Sequence, residues 1–287
     1  MTRTTLLRRA ILLGLYGAAG ATGLSSTLAT AQTTPVAEKK DTAVVEAVTI
    51  VGTRRVNASS TDTVVPVDFI PMSKSAEQGG QFDLAQSLQY ISPSFNSTRQ
   101  TGADGADLVD SAALRGLGSD QTLVLVNGKR KHTTALVNLF GARNRGNTGT
   151  DLNTIPMLAI DSVQVLRDGA AAQYGSDAIA GVIDITLKKR AGCEAVLGYG
   201  QYSAGDGKNY LASAYCGFAT GNGGTTGITA EFLDRGRSNR AEPGNPRIIG
   251  DTKTQNATLS INGEVPVSGA AKLYYTLGYQ TRDASSA

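Results

Sequence analysis

The chain has 287 residues, a formal net charge of +3, 34 glycines, 10 tyrosines, one histidine and no tryptophan. A charge this small, scattered among acidic residues with no aromatic platform in a Lys/Arg stripe, excludes a nucleic-acid partner. No segment offers about 20 consecutive apolar residues, so any passage through a membrane is made by β-strands.

At the N-terminus, Arg3, Arg8 and Arg9 precede the apolar stretch Ala10–Ala21 and the A-x-A site Ala29-Thr30-Ala31. This is the order of a secretory signal peptide, assigned to residues 1–31, and it places the mature chain in the bacterial envelope. Residues 32–60 are a polar leader with one β-prone run, Val44–Val51. Without a hairpin partner nearby, that run is suited to adding to another protein's sheet edge, or to forming an edge strand of the domain that follows.

From residue 61 the signals are those of a small packed domain. Val64–Ile70 alternates and contains Pro66, which predicts an edge strand. Asp83 to Ile91 sets Leu84, Leu88 and Ile91 on one helical face, and Pro93 stops the helix. In the polar loop Asn96–Asp110, Asp104, Asp107 and Asp110 recur at a spacing that fits no calcium loop, so they are expected to be solvated. Ala112–Leu114, Thr122–Val126, Val163–Leu166 and Val182–Leu187 are expected to form a small sheet, with a compact crossover over Asp168–Gly181 between the last two. Asn127-Gly128 marks a tight turn. His132–Leu152 is a long Gly-rich excursion, and loops of that length tend to carry function. Gly175 and Gly181, set among Ala170-Ala171-Ala172 and Ala178-Ile179-Ala180, are expected where backbones pack closely.

Past Arg190 the period becomes two. Cys193–Tyr202, Tyr210–Ala219 and Gly227–Asp234 are predicted strands, joined by Gly-rich turns at Ala204–Gly207 and Gly221–Gly224. In Asn256–Val265, Ala257, Leu259, Ile261 and Val265 alternate with Asn256, Thr258, Ser260, Asn262 and Glu264; Leu273, Tyr275, Leu277 and Tyr279 repeat the pattern. Apolar outward and polar inward describes a transmembrane barrel strand, although a half-buried soluble sheet shares the alternation. With the first turn centred between Ala204 and Gly205, Cys193 and Cys216 face each other. In an exported protein they are either a disulfide or two buried thiols. Two thiols with no nearby histidine make no zinc site.

No catalytic arrangement is legible. G-x-S-x-G, the P-loop, H-E-x-x-H and spaced Cys/His clusters are absent, and Gly116-Leu117-Gly118 lacks the third glycine of a dinucleotide loop. His132, beside Lys129, Arg130 and Lys131, is expected to be a solvated turn residue. No catalytic residue, metal ligand or cofactor is assigned.

Leu114-Arg115-Gly116-Leu117-Gly118, Thr122–Arg130 and Val165–Ile183 closely resemble segments of the plug domain of TonB-dependent outer-membrane receptors, and the likeness covers most of Thr61–Arg190. The resemblance implies an α+β plug domain over residues 61–190, a small mixed sheet with short helices. Over residues 191–287 it implies the first antiparallel strands of a truncated transmembrane β-barrel. About five strands are expected there, whereas the smallest closed barrel needs about eight and plugged transporters use about 22; the chain is therefore expected to be an N-terminal fragment. The resemblance further implies no enzymatic activity and a bacterial outer-membrane location. Its function would be active uptake of a scarce, bulky ligand, either a ferric siderophore-like chelate or a saccharide. Its partners would be the TonB C-terminal domain with its inner-membrane energising complex, the small-molecule ligand and outer-membrane lipid. By the same resemblance Glu46, Ala47, Val48, Thr49, Ile50 and Val51 form the TonB box, in preference to a frame beginning at Asp41. Arg99, Gln100, Arg143, Asn144, Arg145 and Asn147 become ligand-facing loop residues; arginines suit an anionic chelate, Asn and Gln a sugar. The competing reading is a secreted, non-transporting α+β binding module.

Overall fold

The computed structural model describes residues 66–73, 81–96, 99–101, 105–139, 144–169, 171–268 and 271–285. The signal peptide, the leader with Glu46–Val51, and Arg143 lie outside the described residues. Among the described residues the strands form two five-stranded sheets. The first contains β1 (Val67–Pro71), β2 (Thr122–Val126), β3 (Lys129–Arg130), β4 (Ile160–Leu166) and β5 (Gly181–Leu187), in the order β1-β4-β5-β2-β3. β4 runs antiparallel to β1 and β5, while β2 and β5 are parallel, so the sheet is mixed.

Two local expectations are corrected. β4 and β5 are antiparallel neighbours with Val165 opposite Ile183, so residues 167–180 form a wide return and not a crossover. Ala112–Leu114 is no strand, because it makes only flanking single bridges, Leu114 with Phe95 and Ser111 with Asp151. The chain cannot continue extended there: Arg115 (φ 55°) and Gly116 (φ 74°) turn through the left-handed region immediately afterwards.

Both faces of the first sheet are covered. Val124, Val163, Val165, Ile183 and Ile185 pack with Phe95, Leu114, Leu152 and the apolar face of α1 (Leu84–Ile91); Leu123, Leu125, Leu166 and Val182 pack with Val67, Ala178 and Tyr174. Burial on both sides explains why β2 and β5 appear in the sequence as near-continuous apolar runs. α1 begins at Asp83, whose Oδ1 accepts the Gln86 N–H at 2.9 Å and satisfies one of the helix's free donors. α2 (Ala171–Tyr174) is a single turn within the β4–β5 return.

The motif residues clamp two distant segments together. Arg115 donates from Nε to the Ala180 carbonyl at 3.1 Å and from a terminal nitrogen to Ile179 at 3.2 Å. Gly181, next in the chain, is a packing point: at φ +138° an added Cβ would lie 2.2 Å from the Leu166 carbonyl oxygen. Gly175 differs from expectation. A Cβ there would meet only an Arg130 nitrogen at 3.7 Å, so it is its φ of +99° that calls for glycine, not crowding.

The second sheet is an antiparallel wall of β6 (Gly192–Gly200), β7 (Asn209–Thr220), β8 (Gly224–Arg235), β9 (Lys253–Ser268) and β10 (Ala271–Ser285), paired in chain order. Its burial is inverted relative to a soluble sheet. Ser213, Thr229, Thr254, Asn256, Thr258, Ser260 and Asn262 are buried, with Leu211, Tyr215 and Leu233 among them, while Leu197, Tyr199, Phe218, Leu273, Leu277 and Tyr279 are exposed on the outer face. Connections differ in length: residues 201–208 and 236–252 are long and lie at one end, while Gly221–Gly223 is short and lies at the other. Among the described residues no helix is long and apolar enough to cross a membrane, which leaves spanning by strands open.

Candidate functional site at the junction of domain and wall

Buried charges join the domain to the wall at the long-loop end. Arg99 reaches Asp83 at 2.5 Å, Asp251 at 3.1 Å and Asp110 at 3.5 Å. Arg235, at the end of β8, lies 3.7 Å from Asp83 and 3.6 Å from Asp110. Arg282 of β10 pairs with Asp151 at 2.7 Å and donates to the Leu108 carbonyl at 2.8 Å. Tyr202 donates its hydroxyl to Asp251 at 2.6 Å, and Asn153 its amide to Asp110 at 2.5 Å. No carboxylate in this network is left as an isolated buried charge, a situation that costs several kcal/mol. Burial is the largest influence on Asp83 and Asp151; it outweighs Arg99 and Arg282 and raises both carboxyls above the usual range. At Asp251, burial is overcome by Arg99 and by the Tyr202 hydrogen bond, which hold the carboxyl below its usual range.

The network changes how several sequence expectations are read. Arg99 has a side chain only 11 % exposed and is spent on three carboxylates, so the structure places it in the tie and not on an outer surface. Asp107 and Asp110 are buried, not solvated. The reason for Asp110 is long-range: Arg99 and Arg235 converge on it, which no local spacing reveals. Gln100 is half-buried beside Arg99. Asn144, Arg145 and Asn147 come together in a turn of the long excursion, closed by the Asn138 N–H to the Asn147 carbonyl at 3.0 Å and the Gly146 N–H to the Asn138 carbonyl at 2.7 Å. Arg145 is exposed, and the Asn147 amide lies over Gly118, where a Cβ would be 2.3 Å from it.

Further contacts fix the rest of the junction. Phe82 fills the notch left by Gly198 and Gly200, where added Cβ atoms would stand 2.7 and 3.1 Å from its ring. Asn127, at φ 50° in the Asn127-Gly128 turn, accepts the Leu187 N–H at 2.9 Å and donates to Asn262 of β9 at 2.9 Å. The two long wall loops are tied as well: Arg240 forks onto Asp206 at 2.7 and 3.0 Å, which with the Asn239 N–H holds that carboxyl down to about 2. Cys193 and Cys216 stand directly opposite in the β6–β7 register and are joined in a disulfide on the outer face. Sequence reasoning missed Asp83, Asp151, Arg235, Asp251 and Arg282 as a set. The one available signal was that Arg235 and Arg282 fall on inward positions near strand ends.

Residues 59–182 match the family described as TonB-dependent Receptor Plug Domain. The chain is similar to the probable TonB-dependent siderophore receptor PirA of Acinetobacter baumannii, 43 % identical over 76 residues, which is 26 % of this chain and 10 % of that protein. It is also similar to the vitamin B12 transporter BtuB of Vibrio cholerae, 30 % identical over 142 residues, covering 50 % of this chain and 21 % of the relative. A ferric enterobactin receptor of Pseudomonas aeruginosa, solved in complex with enterobactin, shares the fold with a TM-score of 0.61 at 20 % identity, over 76 % of this chain and 33 % of that one. The chain spans about a third or less of each of these proteins.

Proposed function

We propose that this chain, which carries the plug domain and antiparallel barrel strands of a TonB-dependent receptor, serves TonB-dependent active uptake of a scarce, bulky ligand across the bacterial outer membrane. The observation that carries the reading is the inverted wall, polar and filled by the plug on one face and apolar on the other. A plug tied to its wall by buried ion pairs blocks the lumen, so passage requires work on the plug. In this reading the work arrives through Glu46–Val51, pairing by strand addition with the TonB C-terminal domain. Short turns belong to the periplasmic side and long loops to the outside. On that orientation Gln100, Arg143, Asn144, Arg145 and Asn147 face incoming ligand, while Arg99 ties the plug to the wall. The ligand class is a ferric siderophore-like chelate or a saccharide; the siderophore and enterobactin receptors among the relatives support the former. Residues 1–31 are removed on export, 32–60 form the leader, 61–190 the plug and 191–287 part of the barrel.

The test is an uptake assay in the receptor that contains this sequence. Val48→Pro is expected to abolish uptake while leaving ligand binding intact, because proline removes a ladder donor and fixes φ. Uptake retained in Val48→Pro but lost in Val44→Pro would move the box to the frame beginning at Asp41. Uptake retained in both would overturn the reading.

A further inference from the structure

At the short-turn end the plug and wall part around a cavity of about 670 Å³, lined by Lys129, Arg130, Lys131 and Lys189 with Asn262 and Tyr274 among its other walls. Its size is that of a small-molecule site, about 300–1,000 Å³, but among the described residues its lining holds four cations and no carboxylate. Two of the cations are engaged from outside, Arg130 by Asp177 and Lys189 by Glu264 at 2.9 Å. Lys129 and Lys131 form no ion pair among the described residues. Lys131 is half-buried, and its burial lowers the ammonium below its usual range, opposed only in part by the charge of Asp151. Like charges gathered in a partly enclosed, low-dielectric cleft repel one another and concentrate positive potential. A bound anion would relieve both effects. Tyr274 adds a flat side to the cavity, with the Lys189 ammonium 5.5 Å from its ring centroid.

We propose that this cavity is an inner anion-binding site of the plug and wall, which takes a compact polyanion, a multi-carboxylate or a phosphate-bearing small molecule, through Lys129 and Lys131 with Lys189 as a third contact. It is built from residues other than those of the outer excursion, and it stands on the junction's geometry whether or not the uptake reading holds.

The test is titration calorimetry of the 287-residue chain in detergent micelles, with citrate in one arm and pyrophosphate in the other. Saturable binding of at least one of the two is expected, and the arm that binds identifies the anion class. Affinity should fall at least about tenfold in K129Q/K131Q, the scale of a lost charge-assisted hydrogen bond, and stay within about threefold in K129R/K131R, which keeps the charge. Arg247→Gln, an exposed cation in the loop 236–252, should leave it unchanged. If the glutamine variant does not fold as the parent does, acetylation of the parent decides: the anion should protect Lys129 and Lys131 from modification. Absence of saturable binding, binding that survives K129Q/K131Q in a folded protein, equal loss in Arg247→Gln, or absence of protection would each overturn the proposal.

Discussion

Arg99 is the residue on which the plug–wall tie converges, because it gathers Asp83 from the start of α1, Asp110 from the following loop and Asp251 from the segment before β9. Its replacement leaves three buried carboxylates with Arg235 as the nearest remaining cation for two of them. Arg99→Gln is therefore expected to cost about 3–5 kcal/mol in a denaturant unfolding titration in micelles; a loss below about 1 kcal/mol would mean the cluster is screened as surface pairs are. Asp184 makes the opposite case. Burial in the sheet raises its carboxyl above 3.8 against the Gly128 N–H, which donates to it at 3.1 Å. The folded state thus holds the proton more tightly than the unfolded state, so stability falls as pH rises through the raised value and returns as pH falls toward 3.8. Asp184→Asn keeps an acceptor for Gly128 without the charge. It should raise the thermal midpoint at neutral pH, with the gain shrinking on acidification; a pH-independent gain would assign the effect to something other than ionisation.

Among the elements, β6 is an edge strand of the wall, paired among the described residues with β7 alone. The Cys193–Cys216 disulfide reinforces that pairing across a separation of 23 residues. In the chain-entropy account a closed loop of this size contributes about 3 kcal/mol. C193S/C216S is expected to lower the unfolding midpoint accordingly without altering the β6–β7 register, and alkylation of the unreduced parent should find no free thiol. Legibility at this scale followed the range of the interaction. The apolar face of α1 with its stop at Pro93, the Asn127-Gly128 turn and the apolar runs of β2 and β5 depend on a few consecutive residues and were visible in the sequence. The failure of Ala112–Leu114 to form a strand was not, because it follows from the left-handed turn at Arg115, a non-glycine residue held there by carbonyls of Ile179 and Ala180.

In the whole molecule the two sheets answer to different solvents. Both apolar clusters of the first domain are made from residues between Val67 and Leu187, so residues 61–190 carry their own core. Expressed alone they should remain soluble, with slow amide exchange confined to β2, β4 and β5. The wall has an apolar outer face and, among the described residues, unpaired outer edges on β6 and β10. Transferred from detergent to buffer, the 287-residue chain should aggregate through those edges. Size-exclusion chromatography with hydrogen exchange checks both expectations, and a soluble monomer with protected amides throughout β6–β10 would sink the barrel-wall assignment.

The sequence by itself determined the periods of the strands, the short helix ending before Pro93, the tight turn and the motifs that mark a plug, since each of these is written within a short stretch of chain. It also carried the alternation of β9 and β10, but not which face meets water. Only the tertiary structure decided that the polar face is the buried one, that β4 and β5 lie side by side, and that Arg99 belongs with Asp251, 152 positions away. Charges so far apart in the chain share no local pattern, and their pairing exists only once the domain is seated on its wall.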